Sequence, residues 1–394
     1  AFARRSRTIA LACYTVVNAV SVQIAWLQGE FLVGWFGWRA AYVLPLVMAL
    51  LALWWVYRYI PETWVGWQGR PETLIFSGWT LLILAGIYGV MVLPVASDFW
   101  WWVVGAALLA ALTGGLLVLW WNLKRPKELL QQHSFRSRDL TALIITGAVI
   151  QFLLHGFGLR TLGYFQVVRS MPAIVAVVAL APLLFGLLVA VYLFLRAVHP
   201  YRARSVIAAG LVVMAVALAA TALLPITAPY LLFALPLVVF GVGYLVASTV
   251  WTSAFLHIAV ARSYGVNAAI SSATSAIGGA VGSAVTGNLL ARLGLEFYLQ
   301  RLTAANVNVA DTLEALIHFK TLVLSDPADI AAVTEYLRFD LLTGYREVYA
   351  LAYSQILWLM VAFCLVTTAI IGFGLRRSLK ATTRPPVEEE LGTI

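Results

Sequence analysis

The sequence predicts an all-α polytopic membrane protein with about ten transmembrane helices. The chain is 62% hydrophobic and 11% charged, with a mean hydropathy of +0.91; a soluble domain carries roughly 25% charged residues. Apolar runs of ~18 residues or more, the length that crosses a bilayer core, recur from end to end. They are helices because a spanning segment must satisfy its own backbone hydrogen bonds. A β-barrel would need short alternating segments. A signal peptide would be a single apolar stretch at the start.

In order, the spans read as residues 8–27, 40–57, 74–94, 99–121, 141–168, 172–195, 206–225, 230–250, 265–290 and 349–375. The first follows the basic cluster Arg4, Arg5 and Arg7, and the second follows Arg39. Trp54-Trp55, Trp100-Trp101-Trp102 and Trp120-Trp121 mark span ends, as an aromatic belt at headgroup depth does. Residues 122–140 form a basic linker, NLKRPKELLQQHSFRSRDL. Between the last two spans lies a long segment, 291–348, with amphipathic stretches and the carboxylates Asp311, Glu314, Asp326, Asp329, Glu335 and Asp340. A connection of that length is usually functional or a partner surface. The tail TTRPPVEEELGTI has the composition of a disordered end.

The net charge of +9 does not point to nucleic acid, because the basic residues sit in short loops where they orient helices and touch anionic lipid. With residue 1 inside, the inner loops and ends hold 18 of the 26 Lys and Arg. Five of the remaining 8 fall in the long outer segment, where the charge rule has little force. Both ends are therefore expected on the cytoplasmic side of an inner (plasma) membrane. Cys13 and Cys364 both lie in apolar stretches, with no metal-ligand spacing and no disulfide framework. Gly114-Gly115 and Gly241-x-Gly243 lie in apolar helices and are not phosphate loops, and no GxxxxGK[ST] motif is present. No cofactor or metal is implied.

Polar groups inside spans are costly and usually face a bundle interior or a water-filled path. At ~100° per residue, Gln151, His155, Gln166 and Arg169 share a sector of about 60° on the fifth span. They are substrate-path candidates. His155 is also a proton-coupling candidate, since imidazole changes charge near neutral pH. The competing reading is plain interhelical hydrogen bonding, with Arg160 and Arg169 snorkelling to the headgroups. On the first span Tyr14 and Asn18 share a face with Ser21 and join the path candidates, while Gln23 and Glu30 share another. Glu30 is a second proton-coupling candidate, although a solvated helix-end carboxylate is the simpler reading. On span 265–290 small residues recur at every fourth position: Ser271, Ser275, Gly279, Ser283 and Gly287. With Gly278 and Gly282 they form a helix-packing seam, which in a transporter also lets helices rock.

Two stretches carry a family resemblance. Gly37-Trp38-Arg39 leads into an apolar span containing Pro45, closed by Ile60-Pro61-Glu62-Thr63. Tyr164-Phe165-Gln166-Val167-Val168 is followed by Met171-Pro172 and Ala181-Pro182. In order and spacing, with Ile277-Gly278-Gly279-Ala280-Val281-Gly282 further on, these resemble major facilitator superfamily transporters of the 14-helix drug:proton antiporter type. The resemblance implies that the chain corresponds to the last ten helices, the first four being absent; the start at Ala1 agrees. On that alignment 1–73 are the last two helices of the N-terminal bundle and 74–121 two extra central helices. Residues 141–375 are then the C-terminal six-helix bundle, and 376–394 a cytoplasmic tail. Departures are also visible. Of the family's GPxxGG motif only Gly29 survives, the loop RAVHPYRARS lacks the family's Gly and Asp, and Ser275 stands where Arg is frequent.

The resemblance implies proton-coupled efflux of drugs or other small organic compounds by alternating access, hence a multidrug-resistance antiporter. The departures leave room for a specific-solute transporter with different coupling. A non-transporting partner subunit is the alternative that the long outer segment suggests, and the resemblance makes a periplasmic adaptor a conceivable partner through 291–348. A membrane-embedded enzyme is disfavoured, because His318 is the segment's only histidine and no catalytic cluster is legible.

Overall fold

The computed structural model describes residues 39–59, 138–196, 203–257, 264–304 and 341–374, with scattered positions between 17 and 37. All regular structure among them is helical. The helices are α1 (Ala40–Tyr59), α2 (Arg138–Val167), α3 (Ala173–Val178), α4 (Ala181–Arg196), α5 (Ala203–Ala222), α6 (Tyr230–His257), α7 (Tyr264–Ala304) and α8 (Leu341–Gly374). Among the described residues, six stretches are long and apolar enough to cross a membrane: α1, α2, α3 with α4, α5, α6 and α8. The expected all-α membrane class is thus observed. Spans 74–94 and 99–121, residues 122–137 of the basic linker and the tail 376–394 lie outside the described residues.

Local chemistry explains the punctuation. Gly37 takes φ 79°, a conformation favoured by glycine, and its carbonyl accepts from Ala40 N–H (3.1 Å) at the start of α1. The predicted span 172–195 is broken into α3 and α4. Pro182 has no N–H, and its ring crowds the carbonyl four residues back, which is Val178, the last residue of α3. Helix α7 runs 41 residues, about 60 Å, so it is roughly twice as long as a bilayer core is thick. Being rich in Gly, Ser and Thr, it falls outside the six apolar stretches. It also carries residues 291–304 of the predicted outer connection, and α8 carries 341–348. An ion pair between Arg301 and Glu347 joins these two helical extensions.

Helix α2 packs on α6, α7 and α8. It runs antiparallel to α6, with Leu143 at Trp251, Gln151 at Tyr244 and Arg169 at Ala228. It runs parallel to α7, with Ala148 at Gly278 and Arg160 at Gly287. Against α8 it is again antiparallel, with Gly156 at Met360 and Thr161 at Tyr353. Helix α5 packs on α6 and α8, and α4 on α6. Aromatic contacts fill the centre, among them Phe157–Phe240 (4.5 Å between centroids) and Tyr164–Tyr353 (4.9 Å). Helix α1 stands apart, its side chains largely exposed, with no described helix packed along it.

Lipid tails are as apolar as leucine, so association in a bilayer depends on close packing and interhelical hydrogen bonds. The glycines supply the first. A Cβ at Gly186 on α4 would lie 2.1 Å from Val238 O, and one at Gly241 on α6 would lie 2.3 Å from Leu183 O. Gly210 and Gly243 bring α5 and α6 together in the same way, each Cβ meeting the other's carbonyl at 2.8 Å.

Candidate functional site

The site grows out of the α2 polar stripe. Gln151 is buried, and its amide nitrogen donates to the Tyr244 hydroxyl on α6 (3.2 Å). One turn on, the His155 ring lies 3.0 Å through Nδ1 from the Gln151 backbone oxygen. A carbonyl has no proton to give, so Nδ1 must be the donor, and Nε2 is the nitrogen left for other chemistry. Nε2 makes no hydrogen bond to the described residues.

Around these groups α2, α6 and α7 line a half-open cavity of about 390 Å³. Helix α6 contributes Tyr244, Ser248 and Trp251. Trp251 donates from Nε1 to Leu143 O (2.7 Å) and lies against Gly147, where a Cβ would come within 2.0 Å of the indole. That glycine lets the ring pin α6 to α2 at one end of the cavity. Helix α7 contributes Ser271, Ser275, Gly279 and Ser283, and Gly279 leaves room for the His155 ring, 2.8 Å from where its Cβ would be.

The α7 seam is therefore two stripes with different tasks. Gly278 and Gly282 press on the α2 backbone, where a Cβ would meet Ala148 O at 2.3 Å and Phe152 O at 2.5 Å. The stripe rotated by one residue, Ser271, Ser275, Gly279 and Ser283, lines the cavity. Sequence reasoning placed both under packing.

Of the α2 candidates, Gln151 and His155 meet in the cavity, and Gln166 and Arg169 do not. Helix α2 ends at Val167, and Ser170 takes φ 51°, which swings the chain away before Pro172. Arg169 then donates to Ala228 O and lies over the Phe233 ring, 5.0 Å from its centroid. Tyr14, Asn18 and Glu30 lie outside the described residues. The sequence reading missed Tyr244, Ser248 and Trp251. Their spacing of four and three residues puts them within about 60° on one face, the signal that singled out Gln151 and His155. No group of His, Cys, Asp and Glu among the described residues is placed to hold a metal ion.

No protein-family model matches the chain, and no curated protein matches it. Among solved structures, it is similar to the crystal structure of a bacterial homologue of the human lysosomal transporter Spinster in an inward-facing and occupied conformation. That likeness covers 96% of this chain and 87% of the other, at 14% identity and a TM-score of 0.46.

Proposed function

We propose that the protein is a secondary transporter of the major facilitator type, moving a small organic compound by alternating access. It would sit in the inner (plasma) membrane with both ends cytoplasmic. The observation that carries this reading is the cavity of about 390 Å³ at the junction of three helices in an apolar bundle. Its size falls in the range of small-molecule sites, roughly 300–1,000 Å³. Polar side chains within a bilayer-spanning bundle are costly unless they serve a path. On this reading Gln151, Tyr244 and the α7 serines bind solute, and His155 exchanges a proton through Nε2. Proton-driven drug efflux is the form that the sequence motifs favour.

The lining itself favours the second form, a transporter for a specific solute. Its polar groups among the described residues are amide, hydroxyl, indole and imidazole, with no carboxylate among them. That set suits a neutral, hydrogen-bonding solute better than a cation. The test is proton-driven efflux of a cationic dye from cells making the protein, beside His155→Ala. Loss of efflux in the variant at equal protein level supports the antiporter form. No efflux from the unmodified protein sinks drug export, and a screen with neutral polar solutes then tests the second form.

A further inference from the structure

Outside the cavity, the charged side chain of Arg160 has no hydrogen-bond or ion-pair partner among the described residues. Arg160 lies inside the apolar stretch of α2, seven residues before the helix ends. Its guanidinium packs on α7, where a Cβ at Gly287 would stand 3.3–3.5 Å from its NH1, NH2 and Cζ atoms. Its Nε is buried without a hydrogen-bond partner, and it forms no ion pair among the described residues. The carboxylates of those residues are Asp139, Glu296 and Glu347. Asp139 is at the far end of α2, Glu347 is held by Arg301, and Glu296 lies nine residues past Gly287, about 13 Å along α7.

A second donor sits on the same face. Gly163, three residues after Arg160, makes room for the Tyr349 hydroxyl of α8, which would be 2.4 Å from a Cβ there. Tyr349 lies within electrostatic reach of Arg160 and makes no hydrogen bond to the described residues. Two glycines thus recess a guanidinium and a phenol into one helix junction, and neither makes a hydrogen bond to the described residues. A guanidinium fork matches the two oxygens of an oxyanion.

We propose that Arg160 and Tyr349 form a niche for an oxyanion (carboxylate, sulfate or phosphate) carried on an apolar body. The body must be apolar because the niche is set in the bilayer-spanning part of α2. The niche is next to the cavity in sequence at Leu159, and about 12 Å from Gly279 along α7. Only the anion's role as cargo rests on the transporter reading; binding does not.

The test measures decanoate and its neutral counterpart decanamide binding to the purified protein in dodecyl maltoside, by thermal shift and titration. Decanoate is expected to stabilise the protein and decanamide not. Arg160→Gln should weaken decanoate about tenfold or more, as loss of a charged hydrogen bond does, and Tyr349→Phe by less. Equal effects of the two amphiphiles, or unchanged decanoate affinity in both variants, overturn the niche. If Arg160→Gln does not fold, Arg160→Lys and Tyr349→Phe decide, and unchanged affinity in both again overturns it. Competition by phosphatidylglycerol identifies a lipid headgroup as the source of the anion, and its absence identifies a free organic acid; either supports the niche. Dye efflux by Arg160→Gln is read separately, so failure of transport leaves the binding result standing.

Discussion

Two seams of this bundle use glycine for opposite ends. Between α4 and α6, Gly186 and Gly241 bring backbone onto backbone and leave no space. Between α2 and α7, Gly278 and Gly282 do the same, but the adjacent stripe of serines opens into a cavity facing His155. The difference is chemical. A hydroxyl on a small side chain gives a helix a polar surface without bulk, so a face that is closed when it reads Gly becomes a wall when it reads Ser. The first seam is a joint throughout, and the second is half joint and half cavity wall.

The largest expected effect breaks the first joint. Gly186→Val places a branched side chain where even a Cβ would be 2.1 Å from Val238 O. It should cost about 3 kcal/mol or more, the top of the overpacking range, seen as a large fall in melting temperature in detergent. Trp251→Phe comes next, because it removes the hydrogen bond to Leu143 O and leaves space beside Gly147. A loss of about 1–2 kcal/mol is expected, and a loss near zero would mean that the indole does not hold α6 to α2. Tyr353→Phe removes one interhelical bond, since Thr161 Oγ1 and the Tyr353 hydroxyl are 2.7 Å apart. Thr161 also donates to Phe157 O, so the cost should be only about 0.6 kcal/mol. The smallest stability effect, within about 0.5 kcal/mol, is expected for Ser275→Ala in the cavity wall. Its effect should fall on solute affinity, and a change in melting temperature without one would return Ser275 to a packing role.

The polar stripe of α2 was legible because a helix repeats every 3.6 residues, so Gln151 and His155 had to share a face. The same logic applied to α6 would have found Tyr244, Ser248 and Trp251; the near-continuous apolar run around them hid it. Arg169 fell on the stripe only while the helix was carried past its end at Val167. The helix end is not a composition signal, and beyond it the Arg169 guanidinium reaches Ala228 O instead. Glu30 and Asn18, which lie beyond the described residues, stay candidates from sequence.

By itself the sequence determined the membrane class and, among the described residues, six stretches long and apolar enough to cross. A bilayer leaves the backbone no other partner, and composition alone reports that constraint. It also set both stripes of α7, one residue out of phase. Which stripe meets the α2 backbone and which faces a cavity was decided only by tertiary structure. Rotating α7 by one residue, about 100°, would press the cavity stripe onto α2, and only the fit of Gly278 and Gly282 against Ala148 and Phe152 prevents it. Likewise the sequence places Arg160 in a span, but only the packing of α2, α7 and α8 buries its Nε, with no hydrogen-bond partner among the described residues.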